Sequence, residues 1–123
     1  MKFLFLDVKK NDVKVVEANG LFDYYQYIGC KVVDIVRRKI GDLTVEIICD
    51  DEAALAEHPK VSAIDIVGQP CLYGNLLLAS GRVIDGSLTE LTDAEIEYAK
   101  KFLIDVKTAY YKEPFKVFWE MDY

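Results

Sequence analysis

The sequence has few of the residues from which metal sites and disulfide frameworks are built. Its 123 residues include one histidine, His58, and three cysteines, Cys30, Cys49 and Cys71. No Cys-x-x-Cys pair occurs, and an odd number of cysteines in or beside apolar runs is typical of free thiols in a reducing compartment. The sequence therefore predicts neither structural zinc nor a disulfide scaffold.

The motifs of common catalytic, nucleotide-binding and membrane proteins are also missing from the sequence. It contains no Gly-x-Ser-x-Gly elbow, no Walker loop and no dinucleotide fingerprint. The apolar start at residues 1–6 is interrupted by Asp7, and no apolar run approaches the length of a membrane span. We therefore expect a cytoplasmic protein without a cofactor, a bound metal or a membrane partner.

What is present is an acidic, globular composition. Hydrophobic residues make up 52% of the chain and charged residues 29%, which predicts a single folded domain over residues 1–123. The net charge of −6 keeps such a domain soluble and repels nucleic acid. DNA mimicry would need carboxylates spaced along one face, whereas lysines interrupt the acidic residues in segments 31–39 and 95–101.

The first half of the sequence reads as two hairpins and a short helix. Residues 2–8 are apolar on both faces, which predicts a central strand, and residues 13–17 return beside it. Residues 21–28 carry apolar side chains at helical spacing and end at Gly29, a typical C-cap. Residues 31–38 and 43–49 predict a second hairpin across Gly41. The basic run of Arg37, Arg38 and Lys39 beside that turn favours edge protection over anion binding.

The second half predicts a short strand over residues 62–67, an apolar run over residues 71–80 that contains Gly74 and Asn75, and then a long helix. Thr92 and Glu95 have the spacing of a capping box, and apolar residues from Ile96 to Tyr110 recur at helical spacing. Residues 115–123 alternate as one last strand. The predicted fold class is α+β, a mainly antiparallel sheet with one short N-terminal helix and one long C-terminal helix packed on it.

Two groups of residues are candidates for a functional site. Asp50, Asp51 and Glu52, the acidic cluster, precede His58 by a few residues and could bind a divalent cation or support a histidine base. They lack the alternation and glycine of an EF-hand, which favours an ordinary solvated loop. The aromatic residues Tyr27, Tyr111 and Phe118 fall outside the apolar patterns, which makes them the better candidates for the surface, where such rings dominate binding hot spots. The alternative, that they pack at the margin of the core, stays open at this point.

The order of these motifs resembles the family called domain of unknown function 3846. The resemblance rests on the cysteine and acidic cluster at 49–52, Leu55 and Pro59 after them, the segments 65–68 and 74–75, and the serine, leucine and threonine of 87–92. Ala54 stands where the family commonly has lysine, and no arginine lies near Ser62. The resemblance implies a setting in phages, plasmids or conjugative elements, and no activity.

These observations favour a non-enzymatic binding or regulatory module of mobile-element origin. We expect it to contact another protein, or a second copy of itself as a homodimer. Two alternatives stay open at this point. One is a small-ligand- or metal-dependent enzyme that uses the loop of residues 50–58, and the other is a DNA-mimic inhibitor.

Overall fold

The computed structural model describes residues 1–82 and 85–123 in full and residues 83 and 84 by their backbone alone. The described backbone contains eleven strands, two α-helices and one 3-10 turn at Ala53–Leu55. In chain order the strands and helices are β1 Lys2–Asp7, β2 Asp12–Glu17, α1 Leu21–Ile28, β3 Asp34–Ile40, β4 Leu43–Cys49, β5 Val61–Ile64, β6 Pro70–Tyr73, β7 Leu76–Ile84, β8 Ser87–Thr89, α2 Asp93–Lys100, β9 Leu103–Val106, β10 Phe115–Phe118 and β11 Met121–Asp122.

The strands form two sheets. The larger has the order β11-β3-β4-β7-β1-β2, all pairs antiparallel, and β8 pairs with β7 off this path. The smaller has the order β6-β5-β10-β9, in which only the β5–β10 pair is parallel. The prediction of an α+β fold with a mainly antiparallel sheet is therefore confirmed.

Strand β1 lies inside the larger sheet and is covered on both faces, as its sequence predicts. Leu4 and Leu6 belong to the core that includes residues of the smaller sheet, whereas Phe3 and Phe5 belong to the core with α1. All four side chains are at most 4% exposed. Helix α1 has the predicted bounds, because Gly29 takes the left-handed conformation (φ 83°) and its amide bonds to Tyr25 O.

The prediction of a long C-terminal helix is wrong, and the two helices have equal lengths of eight residues. The capping box of α2 is present, but the helix ends at Lys100. The following residues pair with β10 as strand β9, which places Leu103 opposite Phe118. This segment contains β-branched Ile104 and Val106, which favour a strand, and the sheet pairing satisfies the backbone while burying Leu103 beside the core.

Residues 115–123 form two strands in different sheets rather than one. The chain changes direction at Trp119 and Glu120, where Glu120 has a left-handed φ of 59°. Phe118 is 0% exposed, so its predicted position on the surface is wrong. It lies opposite Ala63 of β5 and Leu103 of β9, on the face that packs against the larger sheet. Both faces of β10 are buried, and alternation along the strand therefore does not distinguish a surface side from a core side.

Three other strands are shifted or shorter than predicted. The strand predicted at 31–38 is Asp34–Ile40, the one at 62–67 is Val61–Ile64, and the run at 71–80 is divided into β6 and β7 by Gly74 and Asn75.

Two arginines of the basic run in β3 contact side chains of neighbouring segments. Arg37 pairs with Glu46 across the hairpin at 2.6 Å, and the Arg38 guanidinium lies 4.3 Å from the centre of the Tyr123 ring.

Candidate binding site: the aromatic groove

A groove with a volume of about 350 Å³ lies at the smaller sheet. Strands β5 and β10 contribute Val61 and Phe115, and β6 contributes Pro70 and Tyr73. The loop before β5 and the loop after β9 supply the remaining wall. We call it the aromatic groove, and it is lined by Glu57, His58, Pro59, Val61, Pro70, Tyr73, Thr108, Tyr110, Tyr111 and Phe115. Its volume lies within the range of protein ligand sites, and most of its lining is apolar.

Four rings follow one another along this groove. His58 stacks on Tyr110 with ring centres 4.0 Å apart and planes 21° from parallel. Tyr110 meets Tyr111 edge to face at 4.9 Å, and Tyr111 meets Phe115 edge to face at 5.7 Å. Offset stacking and edge-to-face contacts are the geometries that aromatic quadrupoles favour. The rings therefore form a continuous wall from the buried Phe115 outward to Tyr110, which is 59% exposed.

The two loops of the groove are tied together by a hydrogen bond. The Tyr111 hydroxyl donates to the backbone carbonyl of His58 at 2.6 Å. Within the loop that follows β9, the Thr108 hydroxyl accepts a hydrogen bond from the Tyr111 amide at 3.2 Å. These bonds fix the segment that carries Tyr110 beside the segment that carries His58.

Lys60 supports the inner side of the wall. Its Nζ lies 4.9 Å from the centres of both the Tyr111 and Phe115 rings and donates to Val8 O at 3.1 Å. The Tyr111 and Phe115 rings thus already interact with a cation of this chain. A second cation would be repelled by Lys60, so this wall suits an apolar group better than a cationic one.

The structure brings together two of the predicted site residues, His58 and Tyr111, and separates them from the others. Tyr27 packs its ring against Phe5 at 4.9 Å, and its hydroxyl donates to Glu17 O at 3.1 Å. It lines a different cavity, next to α1. Phe118 lies in the core between the sheets.

The acidic cluster lies beside two cysteines rather than in the groove. Burial raises the pKa of the Cys49 thiol to about 11, and the nearby carboxylates of Asp34, Asp51 and Asp50 add to that rise. Burial also raises the pKa of Cys30, with a further contribution from the acidic cluster. A raised pKa keeps both thiols protonated and therefore weakly nucleophilic. Among the residues that the structure describes, no three His, Cys, Asp or Glu side chains are grouped in a way that could hold a metal ion.

Sequence reasoning missed Tyr110, Tyr73 and Lys60 as parts of the site. The apolar spacing predicts Tyr110 in the buried stripe of a helix that does not extend so far. One signal was available, because Tyr110 and Tyr111 are adjacent and stand shortly before Pro114, and two neighbouring rings cannot share one helix face. Tyr73 reaches the groove only through the pairing of β5 with β6, and Lys60 reaches the Tyr111 and Phe115 rings from the segment just before β5.

In the described residues, no helix combines the length and the apolar character needed to cross a membrane.

Comparison with known proteins assigns the chain to a family. No curated protein and no solved structure matches the chain. One family model matches residues 1–103, a range that includes the His58 side of the aromatic groove and ends before Tyr110. The chain therefore belongs to the family described as Domain of unknown function (DUF3846).

Proposed function

We propose that this protein is a non-enzymatic binding module that holds an apolar side chain of a partner protein in the aromatic groove. One observation carries the proposal, namely the stacked pair of His58 and Tyr110, which presents rings to solvent in a cavity of about 350 Å³. Tyrosine buries a large area at a low cost in conformational entropy, which is why it is frequent at the centres of interfaces.

The rings of the groove are already ordered, which favours a binding site over rings that are exposed without a function. The Tyr111 hydroxyl and the Lys60 ammonium already fix the rings, so a partner would lose little free energy in ordering them. Thr108 and Glu57 stand at its margin and provide the polar rim that surrounds an apolar hot spot.

The setting of this function is part of the same proposal. The family resemblance favours an accessory protein of a phage, plasmid or conjugative element, whose partner is a host or element protein. A regulatory role would follow if the partner loses or gains activity when its side chain enters the groove.

The test is a capture experiment with matched variants. Tagged wild-type protein, the double variant His58→Ala/Tyr110→Ala and the control Tyr123→Ala are each incubated with host lysate, and bound proteins are identified by mass spectrometry. Tyr123 is 84% exposed and lies outside the groove, so its removal is the same type of change at another place. We expect one stoichiometric partner with the wild type and with Tyr123→Ala, and its loss with the double variant.

Two results would contradict the proposal. The first is equal capture by all three proteins. The second comes from a fourth variant, Phe22→Ala, which removes a ring of α1 that is 71% exposed, and it is loss of the partner with this variant while the double variant keeps it. Light scattering gives the molar mass of the wild type and shows whether the partner is a second copy of this chain. A dimer that the double variant dissociates would make the partner a second copy of this chain.

A further inference from the structure

A second cavity, of about 490 Å³, lies between the β1–β2 turn and the end of α1. Its apolar lining includes Phe5, Tyr27 and Ile28, and its charged lining includes Lys9, Lys10 and Lys14. We call it the lysine cleft. It differs from the aromatic groove in every lining residue and is independent of the proposed function.

Sheet register explains how a lysine comes to face an apolar floor. Lys14 of β2 lies directly opposite Phe5 of β1, so both side chains project from the same face of the sheet. That face carries α1, because Phe5 packs its ring against Tyr27 at 4.9 Å. Lys14 therefore stands beside the two rings, with its ammonium group toward solvent.

The charge of the cleft is opposite to that of the chain. The protein has a net charge of −6, yet the cleft is lined by three lysines and one carboxylate, Asp7. One oxygen of Asp7 already accepts from the amides of Lys9 and Lys10, at 3.1 and 3.2 Å. No ion pair found among the described residues involves Lys9, Lys10 or Lys14.

Two carbonyls at the end of α1 are already engaged by the chain itself. The Gly29 amide donates to Tyr25 O at 2.8 Å, and the Asn75 side chain donates to Tyr27 O at 2.7 Å. The same Asn75 side chain accepts from the Val8 amide at 2.9 Å and so joins the helix to the residue after β1. These bonds engage part of the negative end of the helix dipole, and the lysines are the charge in excess among the residues that line the cleft.

We propose that the lysine cleft binds a small organic anion, with an apolar ring against the half-buried Tyr27 and a phosphate or carboxylate group among the lysines. The ring contact and the charge contact are both needed, since exposed lysines alone hold simple anions weakly. Phosphate esters and aromatic carboxylates share this chemistry, and the probes below distinguish them.

Isothermal titration calorimetry tests the proposal with adenosine monophosphate, benzoate and inorganic phosphate as probes. The cleft variant is Lys9→Gln/Lys10→Gln/Lys14→Gln. The control is Lys100→Gln/Lys101→Gln/Lys112→Gln, which removes the same charge from exposed lysines outside the cleft. We expect saturable binding of one ring-bearing probe, weakened about tenfold in the cleft variant and less than about twofold in the control.

Three results of the titrations would overturn this inference. They are the absence of saturable binding by either ring-bearing probe, equal weakening in the two triple variants, and binding of inorganic phosphate as tight as that of the ring-bearing probes. Amide NMR shifts of Gly29 and Gly74 provide a second readout, because both residues line the cleft and neither is mutated. Saturable shifts at these two amides locate the probe, and shifts confined to other residues would place it outside the cleft and refute the assignment.

Discussion

The aromatic groove and the lysine cleft are neighbours with opposite chemistry. Tyr73 lines the groove, and the next two residues, Gly74 and Asn75, line the cleft. The chain passes from one cavity to the other where Gly74 takes a left-handed conformation with φ 77°. The turn at Gly74 thus separates the aromatic side chains of the groove from the lysines of the cleft, so two adjacent cavities have different chemistry.

The two cavities also share a support. The Lys60 carbonyl accepts from the Gly74 amide at 3.0 Å on the cleft side. The Lys60 ammonium group donates to the carbonyl of Val8, which also lines the cleft. The same ammonium group lies over the Tyr111 and Phe115 rings of the groove. Each cavity is further braced by a tyrosine whose hydroxyl donates to a backbone carbonyl, Tyr27 in one and Tyr111 in the other.

The largest effect that we expect separates core rings from groove rings. Phe118→Ala should reduce the free energy of unfolding by about 3–5 kcal/mol, because it leaves a cavity between the sheets at a side chain that is 0% exposed. Tyr110→Ala, in the groove, should cost less than about 1 kcal/mol. Urea denaturation of both variants checks this difference. Similar losses would mean that the groove wall is part of the structural core and not a preformed binding surface.

An intermediate effect is expected at the shared support. Lys60→Met keeps the apolar stem but removes the hydrogen bond to Val8 O and both ring contacts, so we expect a loss of about 1–2 kcal/mol. Lys116→Met is the control, since its ammonium group makes one surface pair with Asp105 at 3.5 Å and should matter by less than about 0.5 kcal/mol. If the cavities share Lys60 as a support, amide hydrogen exchange should quicken at both Gly74 and Tyr111 in Lys60→Met. Faster exchange on one side only would contradict the shared support.

The smallest effect is expected away from both cavities, at the capping box of α2. Burial alone would raise the pKa of Glu95, but hydrogen bonds from the Thr92 amide and the Arg82 guanidinium outweigh it and hold the pKa below its usual 4.5. Glu95→Gln should therefore cost about 0.5–1 kcal/mol at neutral pH.

The pH dependence of that loss has a definite sign. A lowered folded-state pKa stabilises the protein above pH 4.5, and this contribution disappears as the pH falls through the lower folded value. The stability difference between wild type and Glu95→Gln should consequently persist above pH 4.5 and shrink as the pH falls below it. A difference that grows in acid would show that the charge of Glu95 is not what stabilises the helix start.

Local features of the fold were predictable where neighbouring residues satisfy one another. The bounds of α1, its glycine cap and the Thr92–Glu95 box were all read correctly, since each depends on contacts within a few residues. The central position of β1 followed from side chains that are apolar on both faces. The family resemblance followed from the order of such local motifs and is confirmed by the match over residues 1–103.

The sequence by itself thus determined the fold class, the early hairpins and the two helix starts, because short-range spacing and caps control them. Only the tertiary structure decided that the chain after Lys100 becomes a strand and that Phe118 is buried, since pairing with distant β5 and β10 outweighs helical periodicity. The aromatic groove also depends on contacts between residues that are distant in the sequence. His58 and Tyr110 stack although 52 positions separate them in the chain, and no local pattern encodes a contact that the smaller sheet creates.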